Sequence, residues 1–249
     1  MTIKNCILAD WRKTNKSIVR WVILFGGLFI NSSVSFLYLI GKESVVALNQ
    51  NPWESYMGRN LQSFALFFWI PFIILLTSSF INIEHKAKGW KSLFVQPVKV
   101  HEILSGKVLS ILFYLLFALI THGIVFILAG FIIDLCVPEF EFRNYSPDLR
   151  MLILSLSKLF ILTLGVTGIQ TALSLFFKNQ TISFGLGLLG FISGFVLSIQ
   201  NISFAKYYPF SLSNISSSLL DSESYFVSIS VFLACSSLVI LSNKWSRLI

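Results

Sequence analysis

The sequence predicts an all-α integral membrane protein. It reads as one domain over residues 1–249, with six transmembrane helices, both termini cytoplasmic, and short amphipathic helices on the cytoplasmic surface. Three observations predict this. The chain is 55% hydrophobic and only 12% charged, against about 25% charged in a soluble domain. Its apolar residues, 25 Phe among them, gather into long runs suited to crossing roughly 30 Å of hydrocarbon. Its net charge of +8 sits at the ends of those runs, where Lys and Arg orient a membrane protein, and not in a patch suited to nucleic acid.

The stretch "ILADWRKTNKSIVRW" brings Trp11, Ile18 and Trp21 to one level beside Arg12, Lys13, Lys16 and Arg20. Residues 1–20 therefore read either as an interfacial helix on anionic headgroups or as a basic flank that only sets topology. The run Trp21–Ile40 is longer than a signal-peptide core, and no A-x-A site follows it, so it is expected to be a retained first span. Spans are expected at about 20–40, 61–83, 108–133, 151–176, 182–200 and 225–242. The third and fourth are long enough to need tilt.

Orientation follows from the basic residues. With the N-terminus inside, the inner segments hold Lys4, Arg12, Lys13, Lys16, Arg20, Lys86, Lys88, Lys91, Lys99, Lys107, Lys178, Lys244 and Arg247. The outer ones hold only Lys42, Arg59, Arg143, Arg150 and Lys206. This bias places both termini in the cytoplasm.

Between the second and third spans, Glu84–Lys107 carries seven charges, which keeps it out of the hydrocarbon. Glu84 and Lys88 have the spacing of a helical ion pair. Gly89 lets the chain leave the direction of the second span. Trp90, Leu93, Phe94 and Pro97 fall at i, i+3, i+4 and i+7, with Lys91 on the other side. Pro97 ends this short helix over 84–99. Its apolar stripe suits either a lipid surface or a cytoplasmic partner that grips it as a lever.

Within the spans, Asn31, His122, Lys158 and Gln170 are candidates for a substrate path or for hydrogen bonds between helices. Lys158 lies near enough to the outer boundary to snorkel. Such sparse polarity favours an apolar or amphipathic cargo over an inorganic ion. The "GLGLLG" at 185–190 matches G-x-G-x-x-G but lies inside an apolar run, without the strand and open helix N-terminus that a dinucleotide needs. Gly185, Gly187, Gly190 and Gly194 instead suit close helix packing, within the chain or between subunits. Residues 201–224 carry Tyr207, Tyr208 and Phe210 around Pro209, as either a partly re-entrant outer segment or an aromatic belt.

Other chemistry is excluded. No G-x-x-x-x-G-K-[ST] or H-E-x-x-H occurs, and His85, His101 and His122 are too dispersed for a metal site. Cys6, Cys136 and Cys235 form neither a CxxC pair nor a disulfide framework. No catalytic residue and no cofactor are expected on this chain, and an intramembrane enzyme would need ionisable groups that are missing here.

The basic start "ADWRKTNKS", the six-span pattern, and Glu84, Gly89, Trp90, Leu93 and Pro97 after the second span resemble the permease subunits of type 2 ABC exporters, especially the short lantibiotic-immunity branch. The resemblance implies that residues 84–99 form a coupling helix docked into an ATP-binding subunit. It also implies two such ATPases, which carry ATP and Mg, and a second permease, identical or homologous. The setting would be a bacterial cytoplasmic membrane and the cargo a cationic antimicrobial peptide or another amphipathic molecule. A membrane immunity or sensor subunit that binds a cytoplasmic partner without transporting is the alternative.

Overall fold

The computed structural model describes residues 12, 18–40, 51–86, 90, 99–200, 202–212 and 222–241. Six helices organise them: α1 (Ile18–Ile40), α2 (Pro52–Lys86), α3 (Val100–Cys136), α4 (Leu149–Phe176), α5 (Gln180–Ile199) and α6 (Ser222–Leu241). The last five are each long and apolar enough to cross a membrane. No strand occurs among the described residues.

The bundle is built around α2. Two thirds of its most apolar stretch (67%) is buried, against 44% for α3 and α4 and 17% for α5 and α6. It touches α1, α3, the second half of α4 and α5. Helix α6 packs chiefly on the second half of α4, and α1 lies along α3. The outward faces of α5 and α6 carry exposed Leu189, Ile192, Phe226 and Leu233, as expected where lipid replaces a protein neighbour.

Two helices run beyond the apolar stretches that announce them. α2 starts at Pro52, not near 61, because Asn51 caps it through Oδ1 and the Trp53 N–H (3.0 Å), with Pro52 in the first turn. Its extension is amphipathic: Trp53, Tyr56, Met57 and Asn60 are buried, while Glu54 and Arg59 are exposed. Likewise α3 starts at Val100. The ends of α2, α3, α4 and α5 at Lys86, Val100, Phe176 and Gln180 meet at one pole, here the basic pole. The ends at Pro52, Cys136, Leu149 and Ile199 form the aromatic pole.

Both α2 and α4 are interrupted midway. α2 makes a π-helical turn over Phe64–Trp69. α4 breaks at Thr163 into Leu149–Leu162 and Leu164–Phe176. The breaks touch, since Trp69 Nε1–H donates to Thr163 Oγ1 at 3.1 Å. Ser228 of α6 props the α4 break: its Oγ accepts from the Gly165 N–H (2.9 Å) and lies 2.8 Å from Leu162 O, to which it donates. Thr163 also bonds back to Leu159 O at 2.8 Å, a local competitor to regular helix.

After α5, residues Ser203–Tyr207 form a 3₁₀ turn, and the chain then dips inward. Phe210 and Leu212 are buried. The Phe210 ring lies over Gly190, its backbone against Gly194, and Pro209 reaches Gly165. Gly194 is five residues and Gly190 nine from Ile199, so the backbone of this segment descends about 8 Å along α5 and the Phe210 ring reaches about 14 Å.

Candidate functional site

The basic pole of α2 holds a polar cluster that reaches three other segments. Glu84 and Lys107 form an ion pair across the α2–α3 hairpin, Oε1 to Nζ 2.9 Å, with both side chains buried (3% and 6% exposed). The Lys107 ammonium also lies 4.8 Å from the centre of the Phe80 ring, a cation–π contact. Asn82 Nδ2 donates to Gln180 Oε1 at the start of α5, and Gln180 Nε2 donates to Ser79 Oγ at 3.1 Å.

His85 links the remaining parts. Trp90 Nε1–H donates to His85 Nδ1 (3.2 Å), and His85 Nε2 lies 3.2 Å from Ser174 O near the end of α4. Only the neutral Nε2–H tautomer satisfies both contacts, because Nδ1 must accept and Nε2 must donate. Trp90 itself is buried. From Ser174 the polar contacts continue inward: Ser174 Oγ to Ser183 Oγ (2.8 Å), then Gln170 Nε2 to Ser183 O (3.1 Å) and to Ser78 Oγ (2.8 Å). A chain of polar groups thus runs from Trp90 to the middle of the bundle, joining α2, α4 and α5.

A second polar node joins α1, α2 and α3. Asn60 Nδ2 donates to Asn31 Oδ1 at 2.8 Å, and Asn31 Nδ2 donates to His122 Nδ1 at 3.2 Å. All three are buried. The His122 ring stacks on Phe64, the first residue of the π turn, at 3.7 Å.

The aromatic pole is built differently. Trp53 Nε1–H donates to Phe142 O (3.0 Å) and Tyr145 O (3.1 Å), while its ring fills the notch at Gly130. Phe126, Phe131 and Phe142 meet the Trp53 ring edge-on, and Tyr56 stacks on Phe126 at 4.9 Å. Beside them a cavity of about 300 Å³ is lined by Asp134, Leu135, Pro138, Glu141, Arg143 and Asn144. An Asp134–Arg143 ion pair of 2.9 Å closes one wall. Nearby, Lys206 donates to Glu223 (3.0 Å). That carboxylate and the Tyr207 hydroxyl beside it hold the Lys206 ammonium above its usual pKa.

A family model described as ABC-2 family transporter protein matches residues 6–194. The chain belongs to that family. It is accordingly a multi-pass membrane permease subunit of an ABC transporter, a class that works with an ATP-binding subunit. No curated protein and no solved structure matches it.

In this permease the residues singled out in the sequence fall into distinct places. Asn31 and His122 come together, with Asn60 as the third member, which the sequence reading missed. Gln170 sits on the polar chain that begins at Trp90. Lys158 stands apart and exposed. Within the chain the four glycines meet different neighbours. A side chain on Gly187 would strike Gln170 Oε1, Gly190 and Gly194 receive Phe210 of the inward segment, and Gly185 has nothing within 4 Å. Glu84 has Lys107 as its described ion-pair partner. Lys88, Gly89, Lys91, Leu93, Phe94 and Pro97, with nearly all of the expected 1–20 helix, lie outside the described residues.

His85, Lys107, Asn82, Gln180 and Ser174 were also missed. Opposite charges on either side of a helical hairpin were the one available signal, for Glu84 and Lys107. The other contacts depend on which helices are neighbours.

Proposed function

We propose that this permease is the membrane half of an ATP-driven exporter in a bacterial cytoplasmic membrane. In this reading α1 completes six spans, both termini are cytoplasmic, and the basic pole faces the cytoplasm. Two ATP-binding subunits, which carry ATP and Mg, dock on residues 84–99 of two permeases. The chain itself performs no chemistry. Its cargo is an amphipathic molecule, with a cationic antimicrobial peptide expelled in lantibiotic immunity as the favoured case.

The observation that carries the reading is the fastening of Trp90 to the bundle through His85 and Ser174. A segment pushed by an ATPase must be tied to the spans it moves, and this one is tied to α2 and α4 together. Glu84 and Trp90 then serve as positioning residues, while Leu93 and Phe94 supply the contact surface. The paired breaks at Phe64–Trp69 and Thr163 give α2 and α4 a shared place to bend.

Purification in mild detergent tests it. Wild type is expected to retain a Walker-A-containing subunit whose ATPase activity rises with cargo, and Trp90→Ala to lose that response while still inserting in the membrane. Isolation of wild type without any such subunit would remove the reading's support.

A further inference from the structure

Lys158 lies nine residues into α4, on a stripe with Met151 and Leu154, and all three side chains are exposed. The opposite stripe, Leu152, Leu156 and Leu159, faces inward, with Leu156 set against Gly123 of α3. Lys158 therefore points into the space that lipid fills around the bundle. Among the described residues its ammonium has no hydrogen bond or ion pair, and neither do the side chains of Ser155, one turn nearer Leu149, and Arg150. A cation facing hydrocarbon is costly without an anionic partner.

Depth indicates which partner fits. α4 has 28 residues, about 42 Å of helix against roughly 30 Å of hydrocarbon. Centred in the bilayer it extends about 6 Å past each boundary, which leaves the Lys158 Cα about 8 Å below one of them. Helical side chains lean toward the N-terminus of their helix. The stem of Lys158, about 6 Å long, thus carries the ammonium back toward Leu149, to within about 2 Å of the headgroup layer. Ser155 lies one turn up this route, and Arg150, exposed in the first turn of α4, stands at headgroup depth.

We propose that Lys158, Ser155 and Arg150 form a docking site for the phosphate of an anionic phospholipid, in the leaflet at the Leu149 end of α4. A second copy of the chain fits less well. Every described acidic side chain lies in a connection or in the terminal turns of a helix, so a neighbouring copy presents no described carboxylate at the depth of Lys158. The site follows from α4 alone and stands whether or not the chain exports a peptide.

Native mass spectrometry of the full-length, delipidated permease, titrated with phosphatidylglycerol or phosphatidylcholine, tests it. Wild type should hold one phosphatidylglycerol at least tenfold more tightly than phosphatidylcholine. Lys158→Gln should erase about tenfold of that preference, and Lys158→Arg should keep it. Lys206→Gln, at a cation already paired with Glu223, should leave it unchanged. An unaltered preference in Lys158→Gln, or none in wild type, would overturn the proposal. So would Lys158→Cys forming disulfide-linked dimers in native membranes, which would assign the face to a second copy.

Discussion

The two ends of α2 are held by opposite means. At the aromatic pole Trp53 and Tyr56 are wedged among Phe126, Phe131 and Phe142, with a ring in the notch of Gly130. At the basic pole Asn82, Glu84 and His85 reach α5, α3 and α4 through polar contacts. Interlocked rings resist displacement, because any shift opens a void. The hydrogen bonds of Asn82 and His85 to neighbouring helices can be exchanged for others at modest net cost, and the Glu84–Lys107 pair is costly only when one partner is lost alone. Under the proposed export function, the contrast puts the driven end at the basic pole and the pivot at the aromatic pole.

The largest expected effects set the poles side by side. Trp53→Ala should destabilise the permease by about 3–5 kcal/mol through the lost ring cluster. Glu84→Ala should cost a similar amount, about 3–5 kcal/mol, because it removes one half of a buried ion pair. The double variant Glu84→Leu with Lys107→Met should recover most of the second loss and none of the first, read by thermal unfolding in detergent. If the double variant stays as unstable as the single one, the basic pole is not held by this exchangeable pair.

Gly187→Ala comes next. Its new methyl group meets Gln170 and Ile74, and overpacking of this kind costs about 1–3 kcal/mol. Gly185→Ala on the same helix has open space and should be neutral or slightly stabilising. Trp90→Phe keeps the ring and removes one hydrogen bond to His85, about 0.5–1.5 kcal/mol. Its effect should show mainly as weaker coupling of cargo to ATP hydrolysis. The smallest effect is expected for Lys206→Gln, because its ion pair with Glu223 lies at the surface, where solvent and salt screen it.

The helices were legible because hydropathy alternates with charge along the chain, and a run of apolar residues has one physical solution in lipid. Their ends were not. Pro52–Ser63 is amphipathic and reads as a connection unless Asn51 is recognised as a cap. The break in α4 carries no proline; it is set by Thr163 bonding its own backbone and by Ser228, sixty-odd positions away. Candidate polar residues could be named, but their partners could not, since Gln170 meets Ser78 and Asn31 meets His122 across about ninety residues. The glycines announced close approach without saying what approaches. At Gly190 and Gly194 it is the Phe210 segment and not a helix.

The central claim is that the basic pole receives the ATP-binding subunit. Cysteine cross-linking in native membranes tests it most directly, in a chain without Cys6, Cys136 and Cys235. Leu93→Cys, on the stripe after Trp90, is predicted to cross-link to an ATP-binding subunit in a nucleotide-dependent way. Tyr207→Cys, at the aromatic pole, should not cross-link to it. Cross-linking at Tyr207 and none at Leu93 would contradict the account.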